Sequence, residues 1–199
     1  LLKIRLRNLK LKKSLVFSIM GIGFAPFSMQ LANSLQNIIL NKSLMTYSGD
    51  MALSAMGIIG SIATLMFMPI LGISQGAQPI IGFNYGAKQF NRVKETLKKA
   101  VILGTIIAVV STAVVHLWPI QIASMFNNNN TELIRLTAHA MSVFFLMFPV
   151  AGFQIICSQY FQAVNKPIQS TILGLSRQLL LLIPLLLILP RFWGIEGIW

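Results

Sequence analysis

Apolar residues fall into five long blocks, at 15–40, 51–83, 100–126, 133–163 and 168–189, and the charged residues gather around the connections between them. A hydrocarbon core about 30 Å thick is crossed by about 20 helical residues, so each block is long enough for one transmembrane helix. Lipid offers the backbone no hydrogen-bonding partner, and a helix satisfies its own N–H and C=O groups. The pattern therefore predicts an all-α, polytopic membrane helix bundle with about five transmembrane helices.

The connections are short. Residues 41–50 read as a loop ending in Ser48-Gly49-Asp50, with Asp50 placed to cap the second helix. Residues 127–131 read as a turn in which Asn130 caps the fourth helix and Glu132 enters its first turn. Asn165-Lys166-Pro167 is a tight turn, and Trp193 and Trp199 have the character of interface anchors.

Within the blocks the polar residues are periodic. Pro26, Gln30, Asn33 and Asn37 recur at steps of four, three and four and so share one face of the first helix. Gln75 and Gln78 lie three apart in the second, beside Gly72 and Pro79, and Gln154, Ser158, Gln162 and Asn165 follow the same rule in the fourth, with Phe153 and Phe161 adjacent. An amide in hydrocarbon must find a partner, and a water-lined cavity supplies one. Hydrogen bonding between helices is the competing use, worth roughly 0.6 to 2 kcal/mol per bond. The clustering on three of the five helices favours a cavity on one side of the bundle. The candidate substrate-binding residues are Gln30, Asn33, Asn37, Gln75, Gln78, Phe153 and Gln154, with Met66, Phe67 and Met68 as adaptable apolar surface.

Composition agrees: 55% of residues are hydrophobic, 10% are charged and the mean hydropathy is +0.74, which a soluble domain of this size would not tolerate. The net charge of +12 raises nucleic acid as a partner, and its distribution answers the question. The segments before the first helix, between the second and third, and between the fourth and fifth hold 12 of the 16 basic residues. With five alternating helices these segments share one side, cytoplasmic by the positive-inside rule. The charge reports topology, and the partner is the lipid bilayer, not nucleic acid.

The four acids, Asp50, Glu95, Glu132 and Glu196, all sit at the edges of the apolar blocks. Arg177 lies nine residues past Ile168, within reach of the cytoplasmic end by snorkelling. His139, four residues from Arg135 and seven from Glu132, reads as a packing histidine. Cys157 reads as a small buried hydrophobe. No Gly-rich phosphate loop, HExxH, CxxC or nucleophile elbow is present, so no enzyme chemistry is indicated.

The run from Met68 to Lys88, MPILGISQGAQPIIGFNYGAK, resembles the eighth helix and following loop of bacterial MATE (multidrug and toxic compound extrusion) transporters. Phe161 to Pro167 (FQAVNKP) resembles the end of their tenth helix, and Ser176-Arg177-Gln178 with Pro184 resembles their eleventh. The resemblance implies half of a twelve-helix transporter, helices seven to eleven of the C-terminal lobe, truncated before the last helix. Residues 1–14 would be a cytoplasmic basic linker and 15–199 the lobe. It further implies a secondary active antiporter of the bacterial inner membrane that exports amphipathic, often cationic drugs in exchange for protons or sodium ions, with the N-terminal lobe as partner. Sodium-coupled members carry carboxylates where alignment here puts Ser34 and Lys166. The pattern is closer to the branch with MepA-like and DinF-like members, so no cofactor is expected and the coupling ion should bind mainly in the N-terminal lobe. A lipid-linked oligosaccharide flippase of the same superfamily would need a more cationic cavity, and a membrane scaffold or channel subunit would not need three polar stripes.

Overall fold

The structure, a computed structural model, describes residues 12–127 and 130–199. Most of the basic segment ahead of the first helix lies outside them, as do Asn128 and Asn129. Every regular element among the described residues is helical: α1 (Lys13–Gly86), α2 (Phe90–Leu117), α3 (Pro119–Ser124), α4 (Thr131–Phe144), α5 (Phe148–Ala163), α6 (Pro167–Leu175) and α7 (Ile183–Trp193).

Phe27–Gly86 of α1 runs for 60 residues and is apolar enough to cross a membrane. At 1.5 Å per residue that is about 90 Å, three times the hydrocarbon core. The chain resolves this by leaving helical geometry at Gly49, where φ is 67° and ψ is −156°. A side chain at that φ would be strained, so glycine is required there. Gly49 divides α1 into a first arm, 13–48, and a second arm, 50–86, so that the four membrane-length stretches Phe27–Gly86, Phe90–Leu117, Thr131–Ala163 and Ile168–Gly197 comprise five helical segments long enough to cross a membrane.

The expected loop at 41–50 is therefore helical up to Ser48, and the connection is one residue long. Leu40 and Leu44 explain why: both are buried, in one cluster with Ala52, Leu186 and Ile198, so the first arm keeps a packing partner beyond its most apolar stretch. Asp50 makes no capping hydrogen bond among the described residues, because the helix carries on almost directly across Gly49. The cap at Asn130 is present as expected, its Oδ1 accepting from the Leu133 amide at 3.0 Å.

Prolines set the other interruptions. The third expected helix, 100–126, is observed as α2 and α3, split at Trp118 (φ −130°, ψ 47°), which precedes Pro119 and is kept out of helical geometry by it. α2 also starts ten residues early, with its amphipathic basic turns at Arg92 to Lys99, where Lys99 Nζ lies 2.8 Å from Glu95 Oε1. Between α4 and α5, Pro149 has no N–H for the Phe145 carbonyl, the chain tightens into a 3₁₀ turn at Phe145–Met147, and Thr112 Oγ1 donates to that carbonyl at 3.4 Å. Ahead of Pro184 the helix widens into a π-helical stretch, Ser176–Leu182, which accommodates a ring that would otherwise collide with the carbonyl four residues back.

The main core joins the second arm of α1 to α2, α4 and α5 through Ile59, Ile70, Ala108, Met141, Phe145 and Phe148. On α2 the buried residues Ala100, Gly104 and Ala108 repeat every four positions, a small-residue seam that lets backbones approach closely in lipid. Gly152 of α5 closes it: a Cβ there would lie 3.2 Å from Ile70 Cδ1 and 3.4 Å from Ala108 Cβ. Many large apolar side chains remain exposed, among them Leu103, Ile106, Val110 and Leu180, as expected of a surface solvated by acyl chains.

Candidate functional site

The packing order explains where the polar stripes end up. The first arm rests on α6 through Met29, whose thioether end lies against Gly174. α6 is joined to α5, and α5 to the second arm through Gly152 on Ile70 and the Phe148 ring on that of Phe67, with centroids 4.6 Å apart. α5 and α6 thus stand between the two arms of α1.

The stripe on α5 is spent inside this arrangement. Gln154 Nε2 donates to the Leu173 carbonyl at 2.9 Å, Ser158 and Ser170 share a hydroxyl–hydroxyl bond of 2.9 Å, and Gln162 Nε2 donates to Ser170 Oγ at 3.1 Å. The three bonds form a ladder at i, i+4, i+8 along α5, and Ser158 and Ser170 are buried. On this helix the amides join helices. Gln154 is half-buried, and its carbonyl Oε1 is buried without a partner among the described residues. Phe153, one residue earlier, points the other way and is 49% exposed.

The stripes on α1 stand differently. Gln30, Asn33 and Asn37 are exposed on the first arm, and Gln75 is exposed on the second with Gln78 half-buried beside it. Among the described residues the side chains of Gln30, Asn37, Gln75 and Gln78 make no hydrogen bond within the chain, so their donors and acceptors are available. Met68, 59% exposed, lies on the same face as Gln75, seven residues apart. Both arms of α1 thus carry exposed, uncharged amides, one set on each side of α5 and α6, while Gln154 is withdrawn into the α5–α6 seam. No carboxylate falls in either stripe, and no group of three metal-ligating side chains occurs among the described residues.

Three features were not foreseen from the sequence. Ser170 is the partner that fixes Ser158 and Gln162, and the i, i+4 spacing of those two was the available signal. His139 is exposed, not a packing residue: its Nε2 lies 3.0 and 2.9 Å from the two carboxylate oxygens of Glu196, 57 residues on. Arg177 is half-buried in the π-helical stretch with Nε shielded and unpartnered among the described residues, while Ser176 Oγ bonds back to the Ile172 carbonyl. Trp193 is 66% exposed, as an interface anchor would be, whereas Trp199 packs into both cores.

Helical segments of membrane-crossing length, joined by small-residue seams and carrying exposed uncharged amides, make a polytopic membrane helix bundle. The family model MatE matches residues 15–188, and the chain belongs to that family. It is 24% identical over 197 residues to multidrug export protein MepA of Staphylococcus haemolyticus, covering 99% of this chain and 43% of that protein. It is 23% identical to MepA of Staphylococcus aureus strain MW2, over 96% of this chain and 42% of that protein. Among solved structures, the MATE multidrug transporter DinF-BH in complex with a ligand is 35% identical, with 95% of this chain and 42% of that one covered, and superposes with a TM-score of 0.81. An outward-facing MATE family transporter of the MOP superfamily shares the fold with a TM-score of 0.85 over 100% of this chain and 45% of its own, at 21% identity. The chain thus spans less than half the length of the relatives it matches, and it is a multi-pass membrane protein.

Proposed function

We propose that this chain forms the C-terminal lobe of a secondary active multidrug antiporter that exports amphipathic, often cationic drugs by alternating access. The carrying observation is that the amides of Gln30, Asn37, Gln75 and Gln78 are unspent among the described residues, with Met68 exposed on the face of Gln75, and we read them as an amide wall of the substrate cavity in the whole transporter. Weakly polar, adaptable surfaces bind many ligands modestly, which is the chemistry of a broad substrate range. The names of the MepA relatives and the ligand complex of DinF-BH support the same reading. Asn33 belongs to this wall by position, and Phe153 borders it from α5. Gln154 serves it indirectly, by holding α5 against α6.

Exchange against protons or sodium ions needs an ionisable group along the pathway. The four acids of the chain sit at helix ends or beyond, so the coupling ion binds mainly in the N-terminal lobe of the whole transporter. The test is efflux of a cationic rhodamine dye from vesicles under an imposed proton or sodium gradient, with this chain alone and with both lobes. Efflux is expected with both lobes and absent with the chain alone. Efflux by the chain alone would overturn the half-transporter reading, and no efflux by the two-lobed protein under either gradient would overturn antiport.

A further inference from the structure

Where the first arm of α1 meets α7, near the Gly49 end of both, the surface holds a groove of about 320 Å³. Lys42 and Arg191 line it together with the hydroxyls of Ser43, Thr46 and Tyr47, and Leu186 with its neighbours forms its apolar floor. The arrangement is graded along the helix axes. Ile39 and Leu186 lie about one turn deeper than Lys42 and Pro190–Arg191.

The two cations are unneutralised. Ion pairs among the described residues join Glu95 to Lys99 and Glu196 to His139, and neither Asp50 nor Glu132 reaches Lys42 or Arg191. Two cations that line one groove without an ion-pair partner among the described residues, above an apolar floor, are complementary to an amphipathic anion. The groove is unsuited to the cationic drugs of the proposed transport pathway, because like charges repel. Thr46 Oγ1 donates its proton to the Lys42 carbonyl at 2.8 Å, while the Ser43 and Tyr47 hydroxyls remain as donors.

We propose that this groove is a binding site for an anionic phospholipid, with the headgroup phosphate between Lys42 and Arg191 and an acyl chain along Ile39, Leu186 and Leu187. The site is separate from the amide wall and holds the first arm against α7, two elements that otherwise meet through a small cluster, Leu40, Leu44, Leu186 and Ile198. Its occupant is a lipid and not a free phosphate because the floor beneath the cations is apolar and lies at acyl-chain depth.

Native mass spectrometry of the purified two-lobed protein tests this, with phosphatidylglycerol, phosphatidylcholine and inorganic phosphate as probes. Phosphatidylglycerol should be retained at least about fivefold more than phosphatidylcholine, inorganic phosphate should not bind, and the K42Q/R191Q variant should lose the preference. The charge-preserving K42R/R191K variant should keep it, and a K88Q/K98Q control at the other end of the bundle should not alter it. Equal retention of the two lipids by the unaltered protein, an undiminished preference in K42Q/R191Q, or binding of inorganic phosphate with no lipid preference would each overturn the proposal. The comparison of lipids on the unaltered protein decides even if K42Q/R191Q fails to fold.

Discussion

The side-chain amide of Gln154 donates to the backbone carbonyl of Leu173 across the α5–α6 interface, 2.9 Å from nitrogen to oxygen. The carbonyl it meets lies in the last turn of α6, three residues before the π-helical stretch. Replacing Gln154 by Leu should therefore cost roughly 0.6 to 2 kcal/mol of helix association. Membrane abundance and transport of every substrate should fall together, as read by immunoblot and efflux of two unrelated drugs. A changed ratio between the drugs at normal abundance would instead make Gln154 a substrate contact.

The amides on the arms of α1 should behave in the opposite way. Asn37→Leu and Gln75→Leu remove exposed side chains that hold no other residue in place, so abundance should stay near normal. The ratio of resistance between two drugs, normalised to abundance, should shift at least about threefold, equivalent to about 0.7 kcal/mol. Unchanged ratios for both variants would make this face structural or lipid-facing.

Close packing around Gly152 gives a third expectation. Gly152→Leu places a side chain where Ile70 and Ala108 already stand at contact distance, and overpacking of this kind costs typically about 1 to 3 kcal/mol. The variant should lose thermal stability in detergent, whereas Gly72→Leu, at a position with nothing near its Cβ, should not. Equal losses at the two sites would mean that the α1–α2–α5 seam is not the tight one.

Topology is testable by cysteine labelling in intact cells. A cysteine at Lys42 should react with an impermeant thiol reagent added outside, and cysteines at Lys88 and Lys166 should not. Labelling at Lys88 would reverse the orientation inferred from charge.

The pair formed by His139 and Glu196 is exposed on both sides, so its coupling should be small. A double-mutant cycle with His139→Ala and Glu196→Ala should give about 0.2 to 1 kcal/mol, read from thermal unfolding in detergent. A coupling above about 2 kcal/mol, well outside the range of exposed pairs, would mean that this contact organises the end of the chain and does not merely decorate it.

Much of the architecture was legible in the sequence because membrane insertion is a local problem. Whether a stretch can cross lipid depends on its own length and hydropathy, so the apolar blocks marked the membrane-length helical stretches without any knowledge of their neighbours. The cap at Asn130 is local for the same reason, since an Asn side chain acts within one turn, whereas the helices expected at 100–126, 133–163 and 168–189 proved to be interrupted at Pro119, Pro149 and Pro184. What tertiary structure alone decided was the use of groups that need a distant partner. Helical periodicity placed Gln154, Ser158 and Gln162 on one face just as it did Gln30, Asn33 and Asn37, but it could not say that Ser170 and the Leu173 carbonyl cover the first set while the second stays exposed. The helical course through residues 41–48 depends on Leu186 and Ile198 packing against Leu40 and Leu44, and the partner of His139 lies 57 residues away. Hydropathy measures where a residue can go; only the packed neighbours determine which of its hydrogen bonds remain unspent.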